Sequence, residues 1–259
     1  MSRKFVFFDI DGTLYDTSVN IPESTRESIL QLQENGHVPL IATGRAPMMF
    51  KDLRETLNIH SYVSMNGQYV VHNDQVVFKN PLDKDKLREL VMTIEEKEGP
   101  FIFLDHENMV SRLKEHPRYD VALNTLGLPF GYRHDPEYFK ERDVLQGLLF
   151  ANKSEYNDIL DHYTDDFHFI QWHDVCMDIL PKGGSKALGI RHLIKTLGVD
   201  IKDTIAFGDG SNDHEMIREV GIGVAMGNSS DALKGDADFV TAHVDDHGIQ
   251  KGLEQLGLI

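Results

Sequence analysis

The sequence predicts an α/β protein built on a doubly wound parallel sheet and interrupted by an inserted α+β domain. Three features predict it: short apolar runs that end at carboxylates or glycines, amphipathic helical stretches between them, and a change of pattern in mid-chain.

The first run, KFVFFDI, is rich in β-formers and stops at Asp9, Asp11 and Gly12, as a strand buried on both faces does. Beyond a loop holding Pro22, ESTRESILQLQENG places Ile29 and Leu32 at helical spacing and stops at Gly36. HVPLIATG repeats the strand-into-loop pattern. The alternation returns late in the chain: TIAFGDG as a strand, Asn212 to Val220 as a helix, GIGVAMG as a strand, SDALKGDA as a helical turn, DFVT as an edge strand and DHGIQKGLEQLG as a helix. Ligands of such sheets bind beyond the carboxyl ends of the strands, so Asp9, Thr43 and Asp209 are expected on one rim.

Between these stretches QYVVHNDQVVFKN reads as a hairpin turning at Asn73-Asp74, and LDKDKLRELVMTIEEKEG as an amphipathic helix. FIFLD, VLQGLLFA, FHFIQW and DVCMDIL read as strands, with helices near Tyr119 to Leu126 and Glu155 to Tyr163. Residues 82–181 are therefore expected to form the inserted α+β domain, and 1–81 with 182–259 the doubly wound one.

At 259 residues, 41% hydrophobic and 26% charged, the chain has enough apolar material to fold throughout. A formal charge of -16 argues against nucleic acid and anionic membrane as partners, because both require clustered positive charge. The same charge repels a phosphorylated ligand at long range, so any phosphate pocket must be built locally from a cation, a lysine and backbone N–H groups. The single cysteine, Cys176, has no internal partner and reads as a small buried hydrophobe. Arg3-Lys4 before Phe5-Val6-Phe7-Phe8 resembles a secretory leader only until Asp9, and no stretch approaches the length of a membrane span. A cytoplasmic location is expected, and nothing in the sequence speaks to oligomeric state.

Four elements carry chemistry. In DIDGT, an extended chain through Ile10 sends the carboxylates of Asp9 and Asp11 to the same side; one is competent as a nucleophile, the other as a general acid/base, and both offer oxygen to a hard cation. Taken alone, the pentapeptide reads equally well as a solvated turn. In ATGR, the Thr43 hydroxyl and the N–H groups around Gly44 suit phosphate oxygens, although a capping threonine is the ordinary reading. Lys186 opens a helix after Gly-Gly-Ser, where a solvent-exposed lysine is the ordinary expectation and an anion nearby would justify the charge. In GDGSNDHEM, Asp209 is placed to complete a metal site, Asn212 to bond a phosphate oxygen, and Asp213 to orient Lys186 or a metal-bound water; Asn212 or Asp213 also reads as a helix cap.

The order DxDGT, strand-end threonine, lysine, GDxxND resembles the haloacid dehalogenase superfamily across essentially the whole chain. Within it the chain is similar to the Cof-type phosphatases with a class IIB cap, a likeness that SMNG, with Asn66-Gly67, shares. The resemblance implies a Rossmann-like core with an α+β cap, and a Mg²⁺-dependent phosphoric monoester hydrolase acting on a small phosphorylated metabolite such as a sugar phosphate. It implies Asp9 as nucleophile, Asp11 as general acid/base, Thr43 and Lys186 holding the phosphoryl group with Asn212 assisting, and Mg²⁺ held by Asp9, the Asp11 carbonyl and Asp209. Phosphomutases share the motif set, and a binding protein on the same fold is a further alternative, though Asp11 and Lys186 are both present.

Within residues 82–181, Arg112, Lys114, His116, Arg118, Arg133, His134, Trp172 and His173 are the side chains that would face a substrate, each with a solvated face as the ordinary reading. The 13 histidines are expected at the surface rather than at a metal.

Overall fold

The computed structural model describes residues 2–95, 99–128 and 131–259. The chain divides into two compact units: Met1–Arg45, Phe50–Phe78 and Ser185–Ile259 form the first, Ala46–Met49 and Lys79–Gly184 the second.

In chain order, the first unit begins with β1 (Phe5–Phe8), α1 (Glu23–Glu34), β2 (Val38–Ala42), α2 (Lys51–Thr56), β3 (Tyr62–Ser64), β4 (Tyr69–His72) and β5 (Gln75–Lys79). The second unit follows with α3 (Lys84–Glu95), β6 (Phe101–Leu104), β7 (Met109–Ser111), α4 (Pro117–Leu123), β8 (Arg133–His134), α5 (Tyr138–Glu141), β9 (Gln146–Leu149), α6 (Lys153–Leu160), β10 (Phe167–His173) and β11 (Cys176–Pro181). The chain then returns with α7 (Lys186–Leu197), β12 (Thr204–Gly208), α8 (His214–Glu219), β13 (Ile222–Ala225), α9 (Asp231–Asp236), β14 (Phe239–Val240) and α10 (Gly248–Gln255).

The first unit's sheet runs β14-β13-β12-β1-β2-β3-β4-β5, parallel from β14 to β3 and antiparallel between β3 and β4. Strand β1 lies between β2 and β12, with Phe8 opposite Ile41 and Phe207. Crossovers therefore leave β1 and β12 in opposite directions, and the crevice at their carboxyl ends is where a ligand fits such a sheet. Alternate side chains face opposite layers: Phe7, Leu40, Val63 and Ala206 pack with Ile190, Leu193 and Ile194 of α7. On the other face α10 lies so close that a Cβ on Gly252 would sit 2.5 Å from the Phe207 ring. The hairpin turns at Asn73 and Asp74, at φ 47° and 61°, the left-handed pair that a two-residue turn requires.

The second unit is a sheet in the order β10-β11-β9-β6-β7-β8, antiparallel except where β8 joins β7. Helix α3 buries Leu87, Leu90, Val91 and Ile94, one stripe at i, i+3, i+4 and i+7, against Phe101, Phe103, Met177 and Ile179. The expected extension of that helix toward Gly99 falls on residues 96–98, outside the described residues.

Some elements differ from expectation. The helix expected from Asn212 is a 3₁₀ turn at Ser211–Asp213 before α8, and the DFVT strand shrinks to Phe239–Val240. Helix α2 and strands β3, β7 and β8 carry no periodic signal: α2 buries only Leu53, and these strands are two or three residues long. Cys176 is fully buried, and burial together with Asp178 pushes its thiol well up. His37 departs from the surface placement expected of the histidines: it is 8% exposed, and its Nδ1 accepts the Lys4 N–H. Among the described residues no helix is long and apolar enough to cross a membrane.

Candidate active site

Strand β1 ends against β12, where the Asp9 N–H donates to the Phe207 carbonyl at 3.0 Å. The chain then turns tightly, with Thr13 N–H on the Ile10 carbonyl and Leu14 N–H on that of Asp9. Gly12 sits in this turn at φ 71°, and a Cβ there would lie 2.2 Å from Asp209 Oδ2, so only glycine lets the loop after β1 meet the loop after β12.

Three buried groups, Asp9, Lys186 and Asp213, and the half-buried Asp209 form the centre. Lys186 Nζ lies 2.7 Å from Asp9 Oδ1 and 2.7 Å from Asp213 Oδ1. Asp213 accepts the N–H groups of Asp209 and Gly210 on its other oxygen, each at 2.9 Å. Asp209 accepts the Thr13 hydroxyl at 3.1 Å and the Asn228 amide at 3.1 Å. Carboxyl oxygens of Asp9, Asp209 and Asp213 lie within 4.8 Å of one another. The solvent-exposed lysine that the sequence suggested is instead 1% exposed, its charge justified by two carboxylates.

The electrostatics follow from burial. Desolvation would lower the Lys186 pKa, but Asp213 and Asp9 outweigh it and hold the ammonium charged. Burial raises Asp9 well above the usual carboxylate range; Lys186 opposes this, and Asp213, Asp209 and Asp11 add to it. Burial and then Asp213 push Asp209 up to about 7. Three carboxylates against one ammonium leave a formal charge of -2 in a buried site of oxygen donors. That donor set suits Mg²⁺, a hard divalent cation that takes carboxylate oxygen and water. Asp213 spends one oxygen on the Lys186 ammonium and the other on two backbone N–H groups, whereas each Asp209 oxygen accepts one neutral side-chain donor, so Asp9 and Asp209 are the carboxylates better placed to share an oxygen with an ion.

Asp11 stands apart from this cluster. Its carboxylate is held by Arg45, Nη2 to Oδ1 at 2.6 Å and Nε to Oδ2 at 2.9 Å, and the buried Arg45 guanidinium also lies 5.5 Å from the Tyr15 ring centroid. Thr43 closes β2: its Oγ1 accepts the Arg45 N–H at 3.1 Å while its own N–H donates to Val63. Gly44 lies against Asn66 and Asn212, close enough that an added Cβ would be 3.2 Å from the first amide and 3.4 Å from the second.

All eight expected residues therefore lie in the first unit, tied by direct contacts into an Asp9–Lys186–Asp213–Asp209 cluster, a Gly44–Asn212 contact and an Asp11–Arg45 pair beside Thr43. The sequence reading missed Arg45, Thr13 and Asn228. Arg45 and Thr13 sit inside the quoted motifs; Asn228 follows β13 with no motif to mark it, yet it bonds both the Gly12 carbonyl, at 2.8 Å, and Asp209.

In the second unit the side chains proposed to face substrate are largely engaged locally. Arg112 is buried and paired with Glu95, which corrects its expected solvated placement. Arg118 bonds Glu155 and the Phe150 carbonyl, His116 caps α4, and Arg133 lies over the Tyr138 ring. His173 accepts the Val175 N–H and packs edge-on to Trp172; Lys114 and His134 are exposed.

Comparison with known proteins points the same way. The sequence profile of the haloacid dehalogenase-like hydrolases matches residues 6–253. The chain is 42% identical to a candidate phosphatase, YkrA, of Bacillus subtilis, over the full length of both. A crystal structure of a hypothetical protein from Geobacillus kaustophilus superposes with a TM-score of 0.92 at 47% identity, covering 100% of both chains. A sugar phosphatase of HAD subclass IIB superposes at 0.88 and 30% identity, over 99% of this chain and 100% of that one. The chain thus belongs to the haloacid dehalogenase-like hydrolases and is one of their phosphatases.

Proposed function

We propose that this phosphatase hydrolyses a small phosphomonoester through a phosphoryl group carried on Asp9. The observation that carries the reading is the buried Asp9 carboxylate beside Lys186, in a cluster where three carboxylates outnumber one ammonium. An Asp9 oxygen attacks phosphorus as the bond to the leaving oxygen breaks, and Asp11 gives that oxygen a proton. Asp11 then takes a proton from water as the water oxygen attacks phosphorus; the Asp9–phosphorus bond breaks and inorganic phosphate leaves. Lys186, the Thr43 hydroxyl, the Gly44 N–H and the Asn212 amide hold the non-transferring oxygens, where negative charge spreads in a phosphoryl transition state. Mg²⁺, held by Asp9, Asp209 and the Asp11 carbonyl, would supply the remaining positive charge. Asp213 keeps Lys186 aimed at Asp9.

The second unit is proposed to select the leaving group, and the likeness to a sugar phosphatase supports a hydroxyl-rich metabolite as substrate; a cytoplasmic location is part of the same proposal. Replacing Asp9 with Asn is the direct test: turnover of a generic aryl phosphate with Mg²⁺ is expected to vanish. Near wild-type turnover in that variant would overturn the covalent mechanism.

A further inference from the structure

Met65 and Asn66 stand side by side in left-handed backbone, at φ 53° and 49°, and both are fully buried. Non-glycine residues avoid that region, and two in succession persist only where their surroundings hold them. Here the surroundings are the site itself. The Met65 N–H donates to the Arg45 carbonyl at 3.1 Å, and the Asn66 N–H to the Thr43 carbonyl at 3.0 Å. Gln68 Nε2 donates to the Asn66 carbonyl at 2.7 Å, closing the strap. Gly67, at φ 92°, lets it run so close to the start of α7 that a Cβ there would meet the Ser185 carbonyl at 2.0 Å.

The strained backbone carries one side chain into the machinery: Asn66 Oδ1 accepts a hydrogen bond from Asn212 Nδ2 at 2.8 Å. A carboxamide presents a donor end and an acceptor end, and rotation about its last bond exchanges them. Unheld, Asn212 can turn its oxygen toward an anion, which repels it. Held by Asn66, its nitrogen uses one hydrogen on Asn66 and keeps the other for a phosphoryl oxygen. We infer that Asn66 is a positioning residue that fixes the Asn212 carboxamide with its donor end toward the phosphoryl site. The inference rests on the proposed phosphate-binding role of Asn212.

The test is a double-mutant cycle read in the inhibition constant of inorganic phosphate against a generic aryl phosphate. Glycine tolerates left-handed backbone, so Asn66→Gly removes the acceptor and keeps the strap's geometry. Asn212→Ala is expected to weaken phosphate inhibition about 10- to 100-fold, the scale of one hydrogen bond to a charged group. Asn66→Gly is expected to weaken it by a similar factor, and the double variant to be no worse than Asn212→Ala alone. If the two effects multiply, or if Asn66→Gly leaves phosphate inhibition unchanged, Asn66 does not act through Asn212 and the inference falls. Should Asn212→Ala itself have no effect, the phosphate role of Asn212 fails first and takes the inference with it. Thermal melting reports folding of each variant. If Asn66→Gly does not fold, Asn66→Ser, whose hydroxyl is too short to reach Asn212, enters the same cycle with the same expected outcomes.

Discussion

Lys186 Nζ lies 2.7 Å from Asp213 Oδ1 with both side chains fully buried, and that pair carries the charge balance of the site. Asp213 spends its other oxygen on two backbone N–H groups of the loop after β12, so the position of the ammonium is set by backbone rather than by a mobile side chain.

Removing the lysine should therefore cost more than its hydrogen bonds. Lys186→Met leaves Asp9 and Asp213 buried without their counter-charge, and a loss of about 3–5 kcal/mol in urea denaturation at neutral pH is expected. The deficit should shrink as pH falls, because the orphaned Asp9 carboxyl, already raised by burial, relieves it by taking up a proton. A variant within about 1 kcal/mol of wild type at neutral pH would show that the pair does not hold the site together.

Arg45 grips Asp11 through two nitrogens, and lysine cannot reproduce that fork. Arg45→Lys keeps the charge and loses the alignment, so kcat for an aryl phosphate is expected to fall roughly tenfold, as misplacing a general acid/base does. Because the Arg45 end of the pair is buried while the Asp11 end is exposed, melting temperature is read in parallel, and a fall confined to kcat isolates the loss of alignment. Unchanged kcat would mean that Asp11 acts free of Arg45.

The doubly wound sheet was legible because its strands are apolar runs stopped by carboxylates, as in Phe5–Phe8 before Asp9 and Thr204–Gly208 before Asp209. Helix α3 was legible because its buried residues fall on one stripe. What stayed hidden depends on partners distant in sequence. Lys186 is buried only because Asp9 and Asp213 lie beside it, and nothing in its own helix says so. Asn228 bonds Gly12, 216 residues away, through an amide whose local setting is an ordinary turn after a strand. Arg112 read as a solvated base because Glu95, its partner, lies on a different element. Short elements such as β3 and α2 escaped for another reason: three to six residues are too few to show a period.

Asn228 should matter to metal affinity rather than to chemistry. It holds the Asp209 carboxylate and the Gly12 carbonyl together and is itself fixed by the Val244 N–H at 3.0 Å. Groups that orient a metal's ligands typically change affinity by about 10- to 100-fold. Titration calorimetry of Asn228→Ala with Mg²⁺ is expected to show a loss of that size, while activity at saturating Mg²⁺ recovers most of its wild-type value. Wild-type Mg²⁺ affinity in this variant would exclude the role.

The buried carboxylates also set how metal binding responds to pH. Asp209, raised by burial and Asp213 to about 7, holds a proton in the metal-free protein at pH values where an ordinary carboxyl is ionised. A folded pKa above the unfolded one contributes stability that is complete below the unfolded value near 3.8 and is lost as pH rises through about 7. Mg²⁺ binding at the proposed site would reverse that sense, because the ion would need the carboxylate and have to displace the proton. Below pH 7 each bound ion therefore releases protons, and apparent affinity should fall by up to about tenfold per pH unit for each proton displaced. The rise in melting temperature that Mg²⁺ produces, which tracks its occupancy, is expected to be larger at about pH 8 than at about pH 5.5. In Asp209→Asn, which has no proton to displace at this position and a weaker ligand, both the Mg²⁺ effect and its pH dependence should shrink. An equal Mg²⁺ shift at both pH values in the wild-type protein would mean that Asp209 is already ionised before the ion arrives.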